Sequence, residues 1–475
     1  MRIEAVLAAA DRLGIALSHE EAALACETLS SLAHPAEIPA PCPLQAGEAS
    51  DALGAVVRGI PERDRAAGPL AGKRLAVKDN IAVAGVPTAI GSGLRGFVDW
   101  HDATIVARAA AAGAVLTVKA QCEAFLLGAN SFSSQPGPVR NPLDPRRSAG
   151  GSSSGSAALV AAGECDVALG TDSAGSIRIP AAYCGIVGLK PGRGSVPYTG
   201  IAPLAPWLEC AGPMARTVAE VAALYTVIAG RDGIDPRQVW ARTPAASPSP
   251  PSPDGLRIGV LADAMAQCDA SVRGVLEAAL EASGTHLTSH EWPHWQEALG
   301  HHTAIYLASE AATARGSEAL LASSDPPRWA AWNAALDPAS LPRLKQFTLV
   351  AGSALLAEDP AVIARSMAAA EAFAQSIDAL LDDVDVLALP TTRTIAPLIP
   401  EALTPDDVFG DTVLTAPFNL TGHPALSLPV GHHEEMPVGL QLVGRRGGEA
   451  HLLACAARIE AALGEISSSP SETAS

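Results

Sequence analysis

Residues 148–190 read SAGGSSSGSAALVAAGECDVALGTDSAGSIRIPAAYCGIVGLK. Two serine clusters rich in glycine flank a short helix-forming segment (AALVAA) and a predicted strand at 166–170. Upstream, the segment LAVKDNI supplies an amine at Lys78. A serine hydroxyl is a weak nucleophile that needs a nearby base, so this combination indicates serine-nucleophile chemistry with lysine as the base.

The second serine cluster, at 171–176, follows the predicted strand and opens an apolar segment typical of a helix. Ser176 is therefore predicted at a helix N-terminus, where backbone N–H groups have no partner within the helix. Glycine lets several such groups converge, because it accepts positive φ and lets other atoms approach closely. The amides that we expect to stabilise an oxyanion are those of Ser173, Ala174, Gly175 and Ser176.

Each serine cluster has other interpretations. Ser176 taken alone is typical of an ordinary helix N-cap. The segment 150–156 could be a linker or a phosphate-binding loop, but a linker does not run directly into a helix former, and a phosphate loop needs Gly-Lys-Ser or Gly-Lys-Thr. The same segment fits G-x-S-x-G with Ser153 as nucleophile, yet the loop-like NPLDPRRSAG replaces the buried strand that such an elbow requires.

The chain resembles the amidase signature family of serine hydrolases over most of its length. Several ordered motifs carry the resemblance, which makes it far more specific than any single motif. They are VKDNI (77–81), GPVRNP (137–142), GGSSSGSAA (150–158), GTDSAGSIRIPAAYCGIVGLKP (170–191), DVLALPT (385–391), FNLTGHPALSLPVG (418–431) and MPVGLQLVG (436–444). The chain departs from the commonest family form at Ala174, where the family has a glycine; alanine fits there if its φ is negative.

The resemblance implies a catalytic triad. Ser176 corresponds to the nucleophile, Ser152 to the bridging serine and Lys78 to the base, and the bond between Gly151 and Ser152 is expected to be cis. Lysine has an ordinary pKa near 10.4, so burial among apolar neighbours, without a carboxylate in contact, must keep the amine neutral. If 77–81 is a strand, Asp79 points to the opposite face from Lys78.

The resemblance also implies supporting residues around the triad. Those expected to support the bridging serine and the oxyanion turn are Ser153 and the ion pair of Asp172 with Arg178. The residues predicted as walls of the substrate cleft, although each is also typical of a buried core, are Phe125, Trp207 and Leu208.

Composition narrows the classes of partner. A net charge of −18 argues against nucleic acid and anionic membranes. The sequence has no uninterrupted apolar run long enough to cross a bilayer, and charges at Arg2, Glu4, Asp11 and Arg12 are not typical of a signal peptide. Eight cysteines without C-x-x-C spacing predict free thiols and a cytoplasmic location.

We expect neither a metal nor a cofactor. The adjacent histidines His301 and His302 point to different faces and lack ligand spacing, as does the run at 432–435 (HHEE), which we predict to be a solvated hairpin loop. Cys184, close to the nucleophile in AAYCG, is interpreted as a small buried hydrophobic residue.

From residue 73 onward the predicted strands and helices alternate, which indicates an α/β fold with a mixed, mostly parallel sheet and helices on both faces. The resemblance adds the three-layer α/β/α amidase-signature fold with roughly eleven strands. Residues 1–68 are predicted as a helical lead-in packed on the core, 69–466 as the amidase signature domain and 467–475 as a disordered tail.

Smaller divisions of the chain follow from composition and from the resemblance. The signature region spans about 70–215, and long helices at about 256–382 are expected to form a wall of the substrate cleft. Segments rich in proline, at 34–47 and 243–255, are predicted as connectors.

The resulting prediction is an amidohydrolase that cleaves the C–N bond of a primary, aryl or aliphatic amide through an acyl-enzyme on Ser176. One alternative is an aryl acylamidase or carbamate (urethane) hydrolase of the same family. Another is the glutamine-hydrolysing A subunit of an amidotransferase, which hands ammonia to a partner. All three triad positions are present, so a non-catalytic binding relative is disfavoured. The expected ligand is a small-molecule amide, and a homodimer stays open.

Overall fold

The computed structural model describes residues 51–240 (without 65 and 95), 255–314, 341–401 and 411–468, together with five isolated positions. Met1–Pro43 and Leu44–Ser475 form two separate compact units. The predicted N-terminal helices, the connector at 34–47, nearly all of the linker at 243–255 and most of the predicted tail lie outside the described residues. The following description concerns the second unit.

A sheet of eleven strands forms the centre of this unit. In their order across the sheet, the strands are β1 (Val56–Gly59), β5 (Val115–Ala120), β2 (Arg74–Lys78), β6 (Val167–Asp172), β8 (Cys210–Ala215), β7 (Val187–Lys190), β12 (Ala425–His433), β13 (Met436–Val443), β11 (Val386–Pro390), β9 (Arg257–Leu261) and β10 (His286–His290). Two short strands, β3 (Pro87–Thr88) and β4 (Phe97–Val98), pair outside it. The α/β class, the mixed sheet and its strand number are as predicted.

The direction of the strands differs from the prediction of a mostly parallel sheet. The groups β5–β2–β6 and β11–β9–β10 are parallel. The remaining six of the ten pairings are antiparallel. A parallel pair needs a crossover connection, whereas β12 and β13 are joined by a tight turn at Glu434 and Glu435, both exposed and with positive φ. This hairpin reverses the chain between β12 and β13, whereas the other five antiparallel pairings join strands that are separated by longer stretches of chain.

Helices cover both faces of the sheet. They are α1 (Thr104–Ala111), α2 (Ser154–Ala161), α3 (Arg178–Cys184), α4 (Val218–Ile228), α5 (Ala262–Met265), α6 (Ala270–Ala282), α7 (Trp295–Ala314), α8 (Arg343–Glu358), α9 (Val362–Leu380), α10 (Ala416–Thr421) and α11 (Glu449–Ser468), with 3₁₀ helices at Ala124–Leu126 and Pro236–Trp240. Successive strand residues face opposite sides. Leu75 and Val77 of β2 accordingly join a hydrophobic cluster with α1, α4, α6 and α11, while Ala76 joins another with α2 and α3.

Local signals in the sequence set several boundaries. The hydroxyl oxygen of Thr217 accepts a hydrogen bond from the Glu220 N–H at 3.2 Å and caps α4. The helix α1 ends shortly before Gly113, which has a φ of +95°. Residues 56–59, predicted as part of the helical lead-in, instead form the edge strand β1, because Val56 pairs with Ala120 of β5.

The helices α8 and α9 are apolar along much of their length. Within the described ranges, no single helix is both long and apolar enough to span a membrane, although Leu344–Glu358 and Val362–Leu380, bent by 92°, meet that test as a pair. In this structure α9 buries Phe373 and Ile377 against the rest of the protein.

Gly155 allows α2 to approach the sheet closely. A Cβ at this position would lie 2.3 Å from the Ala55 oxygen and 2.6 Å from the Gln121 nitrogen, both in the backbone. Gly155→Ala is therefore expected to lower the free energy of unfolding by roughly 3 kcal/mol, measured by urea denaturation. Gly274→Ala, in the exposed part of α6 where a Cβ meets nothing within 4 Å, should instead raise it by about 0.5–1 kcal/mol. Similar effects of both substitutions would contradict the close approach.

Candidate active site

The fold brings the three predicted triad residues together. Lys78 is the last residue of β2, and Ser176 follows the neighbouring parallel strand β6. The carboxyl ends of parallel strands meet at one edge of a sheet, where sites commonly form. Ser152 precedes α2, and the N–H of the next residue, Ser153, donates to the Ser176 carbonyl at 3.1 Å. This bond holds the start of α2 against the segment that carries Ser176.

Lys78 is fully buried, and within the described parts of the chain its amine contacts polar groups that carry no charge. Its Nζ lies 2.9 Å from Ser152 Oγ, 2.9 Å from Thr171 Oγ1 and 3.2 Å from the Thr171 carbonyl oxygen. Among the described residues, no carboxylate lies within 4.0 Å of this amine. Burial lowers the pKa of Lys78 to about 8, although surrounding acidic groups such as Asp172 oppose the shift.

These contacts suit a neutral amine, which has two N–H donors and one lone pair. The Thr171 carbonyl oxygen can only accept, and the Thr171 hydroxyl can take the second N–H. The lone pair is then left for the Ser152 hydroxyl, 2.9 Å away. The geometry therefore allows Lys78 to accept a proton from Ser152.

Asp79, although adjacent in sequence to Lys78, has other partners. Its Oδ2 accepts hydrogen bonds from the N–H groups of Ala89 and Gly91, and its Oδ1 lies 3.8 Å from Lys119 Nζ. The strand ends at Lys78, so Asp79 lies in the turn that follows and not in a strand over 77–81, on which the prediction of opposite faces depended. The acidic residue nearest to Lys78 in sequence thus does not form an ion pair with the buried amine.

The Gly151–Ser152 peptide bond is cis, as the resemblance implies. The next side chain, Ser153, donates through Oγ to the Thr171 carbonyl at 3.1 Å and accepts from the Thr171 N–H at 3.3 Å. Ser153 therefore fastens the end of β6 to the start of α2. It acts here as a structural link between the two serine clusters.

Glu123 packs against the segment that holds Ser152. Its N–H donates to the Ser152 carbonyl at 3.2 Å, and a Cβ added to Gly151 would lie 2.7 Å from Glu123 Oε1. The carboxylate accepts from the N–H groups of Asn130 and Ser133, at 3.0 and 2.8 Å. Burial raises the pKa of Glu123 to about 7. No sequence pattern indicated this residue, which lies outside the quoted motifs.

Asp172 and Arg178 form a fully buried ion pair below the turn that carries Ser176. The guanidinium donates twice to the Asp172 carboxylate, at 2.9 and 3.0 Å, and also to the side-chain oxygens of Asn419 and Gln441, at 2.6 and 2.7 Å. Burial alone would raise the pKa of Asp172, but the charge and hydrogen bonds of Arg178 outweigh it and hold that pKa well below its usual range. Asp172 is therefore ionised.

Three of the four backbone N–H groups expected as oxyanion donors are open in this turn, and the fourth is not. The Gly175 N–H donates to the Asp172 carboxylate at 2.8 Å, so this amide is already engaged. The amides of Ser173, Ala174 and Ser176 have no acceptor among the described residues. Gly175 has a φ of +135°, whereas Ala174 lies outside the positive-φ residues. Glycine therefore occupies position 175, where the turn needs a positive φ, and Ala174 occupies a position whose φ suits alanine.

The predicted cleft walls lie in different surroundings. Phe125 is buried, with its ring centroid 5.2 Å from Lys345 Nζ. The guanidinium of Arg193 lies 3.8 Å from the ring centroid of Trp207, which lines a polar cavity of about 360 Å³ together with Arg446. Leu208 is fully buried in a hydrophobic cluster. Their contribution to a substrate cleft stays a prediction.

Several residues of the site were missed by sequence reasoning. Thr171, Asn419 and Gln441 lie within quoted motifs but had no assigned role. His302, considered only as half of a histidine pair, has its Nε2 2.8 Å from the Ser173 carbonyl oxygen. Thr415 donates through its hydroxyl to the Ala174 carbonyl. The last two residues belong to no motif that could have indicated them.

Other candidate chemistry at the site is weaker. Cys184 is buried, its Sγ lies 3.4 Å from the Ala149 carbonyl oxygen, and burial raises its pKa. The described parts of the chain hold no group of three or more His, Cys, Asp or Glu residues that could bind a metal ion.

Lys78 contacts Ser152, and Ser176 lies on the adjoining turn, to which the Ser153 N–H is bound. The assignment of these three residues as a Ser-Ser-Lys triad stays a prediction. The family model described as Amidase matches residues 49–453, and the chain belongs to this family. It is accordingly an enzyme of the kind that acts on C–N bonds of amides.

Relatives in the family differ in function. The chain is 36% identical over 417 residues to the A subunit of the Methanospirillum hungatei glutamyl-tRNA(Gln) amidotransferase, covering 83% of this chain and 94% of the relative. The crystal structure of the corresponding Thermotoga maritima protein matches with a TM-score of 0.72, 28% identity, and 86% and 87% coverage. The peptide amidase of Stenotrophomonas maltophilia matches with a TM-score of 0.69, 32% identity, and 83% of each chain.

The buried ion pair makes a testable contribution to stability. Arg178→Met leaves the Asp172 carboxylate buried without its cation, so we expect the free energy of unfolding to fall by about 3–5 kcal/mol in urea denaturation. Arg146→Met removes a guanidinium from an ion pair with Asp144, but the Arg146 side chain is 81% exposed, and this variant should match the wild type within error. A small effect of Arg178→Met would contradict the assigned pairing.

Proposed function

We propose that the chain is an amidohydrolase that cleaves small carboxamides through an acyl-enzyme on Ser176. The observation that carries the proposal is the contact of the buried Lys78 amine with Ser152, at 2.9 Å, in surroundings without a contacting carboxylate. An amine with a pKa of about 8 has a substantial neutral fraction near that pH and can act as a base.

In the first half of the reaction, Ser176 Oγ attacks the amide carbonyl carbon. Its proton passes to Ser152 Oγ while the Ser152 proton passes to Lys78 Nζ, so that Ser152 ends as it began. The carbonyl oxygen becomes an oxyanion, for which the amides of Ser173, Ala174 and Ser176 are available donors. The proton held by Lys78 returns through Ser152 to the leaving nitrogen, the C–N bond breaks, and ammonia or an amine departs.

In the second half, water replaces the amine as the attacking group. The neutral Lys78 removes a proton from the water through Ser152, and the resulting oxyanion uses the same amide donors. Collapse of this intermediate breaks the bond to Ser176 Oγ, which regains a proton, and the carboxylic acid is released. The balance of the two halves is one amide and one water consumed for each acid and amine formed.

A second candidate function follows from the relatives named as glutamyl-tRNA(Gln) amidotransferase components. In that case the chain would hydrolyse glutamine and pass ammonia to a partner protein. The similarity to a peptide amidase instead favours a free-standing amidase, as do the signature motifs quoted above. The two candidates share the same triad and differ in substrate and in stable partner binding.

The remaining proposals concern the setting of the enzyme. We expect it to act in the cytoplasm on small-molecule amides, without nucleic acid or membrane partners, and a homodimer stays open. The described cysteines are free and buried, which agrees with a reducing compartment. Aryl anilides and carbamates stay open as substrates because the proposed acyl-transfer step tolerates several leaving groups.

Substrate class and nucleophile can be tested together. A turnover panel of primary amides, anilides, carbamates and glutamine should yield activity that Ser176→Ala reduces by about 10³-fold or more on every active substrate. A fluorophosphonate probe should label Ser176 in the wild type. Hydrolysis of glutamine alone, with a partner that co-purifies, would favour the amidotransferase function, and an unlabelled Ser176 would refute the proposed nucleophile.

The pH dependence tests the base. The base must be neutral, and the neutral fraction of Lys78 rises with pH up to its pKa of about 8. For an uncharged amide, kcat/KM should therefore rise about tenfold per pH unit in the acid range and level off above the pKa. Lys78→Arg, which cannot lose its proton, should be inactive across the range. Activity that peaks in mild acid and declines through neutrality would rule out this role.

A further inference from the structure

His302 lies on α7, outside the signature motifs, and its ring contacts the turn that carries the nucleophile. Its Nε2 is 2.8 Å from the carbonyl oxygen of Ser173, which can only accept, so Nε2 carries the hydrogen. The residue is 4% exposed, and its ring stacks on Tyr306 at 6.1 Å between centroids with planes 22° apart. Burial lowers the pKa of His302 to about 4, so the ring is neutral near pH 7. The donor is therefore held in one position.

The Ser173 carbonyl and the Ala174 N–H belong to the same peptide group. This bond is not among the cis bonds of the described chain, and in a planar trans peptide the C=O and N–H point in opposite directions. A donor that holds the carbonyl on one side thus fixes the direction of the Ala174 N–H on the other. His302 can set the aim of this amide without touching it.

The next peptide group along the turn is engaged at both ends. The Ala174 carbonyl accepts from the Thr415 hydroxyl, and the Gly175 N–H donates to Asp172 at 2.8 Å. By contrast, the Ala174 N–H has no acceptor in the part of the chain that the structure describes. Of these two adjacent peptides, only the one held by His302 has both a fixed carbonyl and an available N–H.

We propose that His302 is a positioning residue that aims the Ala174 N–H at the oxyanion of the tetrahedral intermediate. The inference rests on the proposed acyl-enzyme function and adds to it a residue that sets transition-state stabilisation. His302 acts through the peptide group and does not touch the substrate. Because the oxyanion exists only near the transition state, the effect belongs to the chemical step and not to ground-state binding.

The decisive variant is His302→Phe, which removes the donor but keeps a planar ring beside Tyr306. Loss of a whole oxyanion donor costs about 10²- to 10³-fold, so misdirecting one amide should lower kcat/KM by about 10- to 100-fold. Affinity for a trifluoromethyl ketone analogue of the best amide substrate should fall in parallel, while inhibition by the product acid stays within about twofold. His302→Gln, which can present an N–H at a similar distance, should recover most of the loss.

The control is His301→Gln, one position away, because His301 Nδ1 contacts Ser366 Oγ at 3.1 Å and not the turn. This variant should match the wild type in kcat/KM and analogue affinity. Thermal unfolding is recorded for every variant, and His302→Leu serves as a second donor-free variant if His302→Phe does not fold.

Two results would overturn the positioning role while leaving the acyl-enzyme intact. One is unchanged analogue affinity in a folded donor-free variant of His302, and the other is a loss in His302→Gln as large as in His302→Phe. In both cases the fluorophosphonate probe still labels Ser176 in the wild type. A wild type that resists labelling would instead refute the acyl-enzyme, and the positioning role would fail with it.

Discussion

A lysine amine buried without a contacting carboxylate is the constraint around which this site is arranged. The chain holds acids close to Lys78 in sequence or in space, and each is paired elsewhere. Asp79 faces Lys119 and two backbone N–H groups, and Asp172 is bound by Arg178. Buried Glu209 accepts from the N–H groups of Leu204 and Ala205. Since a contacting carboxylate would favour the charged ammonium, these pairings favour the neutral amine that the proposed function requires.

The turn that carries Ser176 depends equally on distant parts of the chain. Asp172 ties two N–H groups of the turn, and Arg178 connects this carboxylate to Asn419 of α10 and Gln441 of β13. The antiparallel middle of the sheet brings these elements beside the signature segment. The C-terminal motifs therefore belong to the same site as the serines, although they carry none of the triad.

Local chemistry made much of the fold and site predictable. A threonine cap at Thr217, a glycine stop at Gly113 and two serine clusters beside a strand are signals contained within a few residues. The direction of the central strands could not be predicted from such local signals. Alternation of helices and strands indicates parallel pairing, but which strand becomes the neighbour of another depends on long connections whose path no local pattern describes.

The sequence by itself indicated the two serine clusters, the glycine turn and several helix boundaries, because these follow from short-range backbone and side-chain preferences. The roles of Lys78, Ser152 and Ser176 came from the resemblance to a family. Only the tertiary structure decided that Lys78 is fully buried, that the Gly175 N–H donates to Asp172, and that His302 contacts Ser173, 129 positions away in the chain. Burial and such contacts depend on how separate segments pack against one another, and the sequence of a single segment does not show which other segments it will contact.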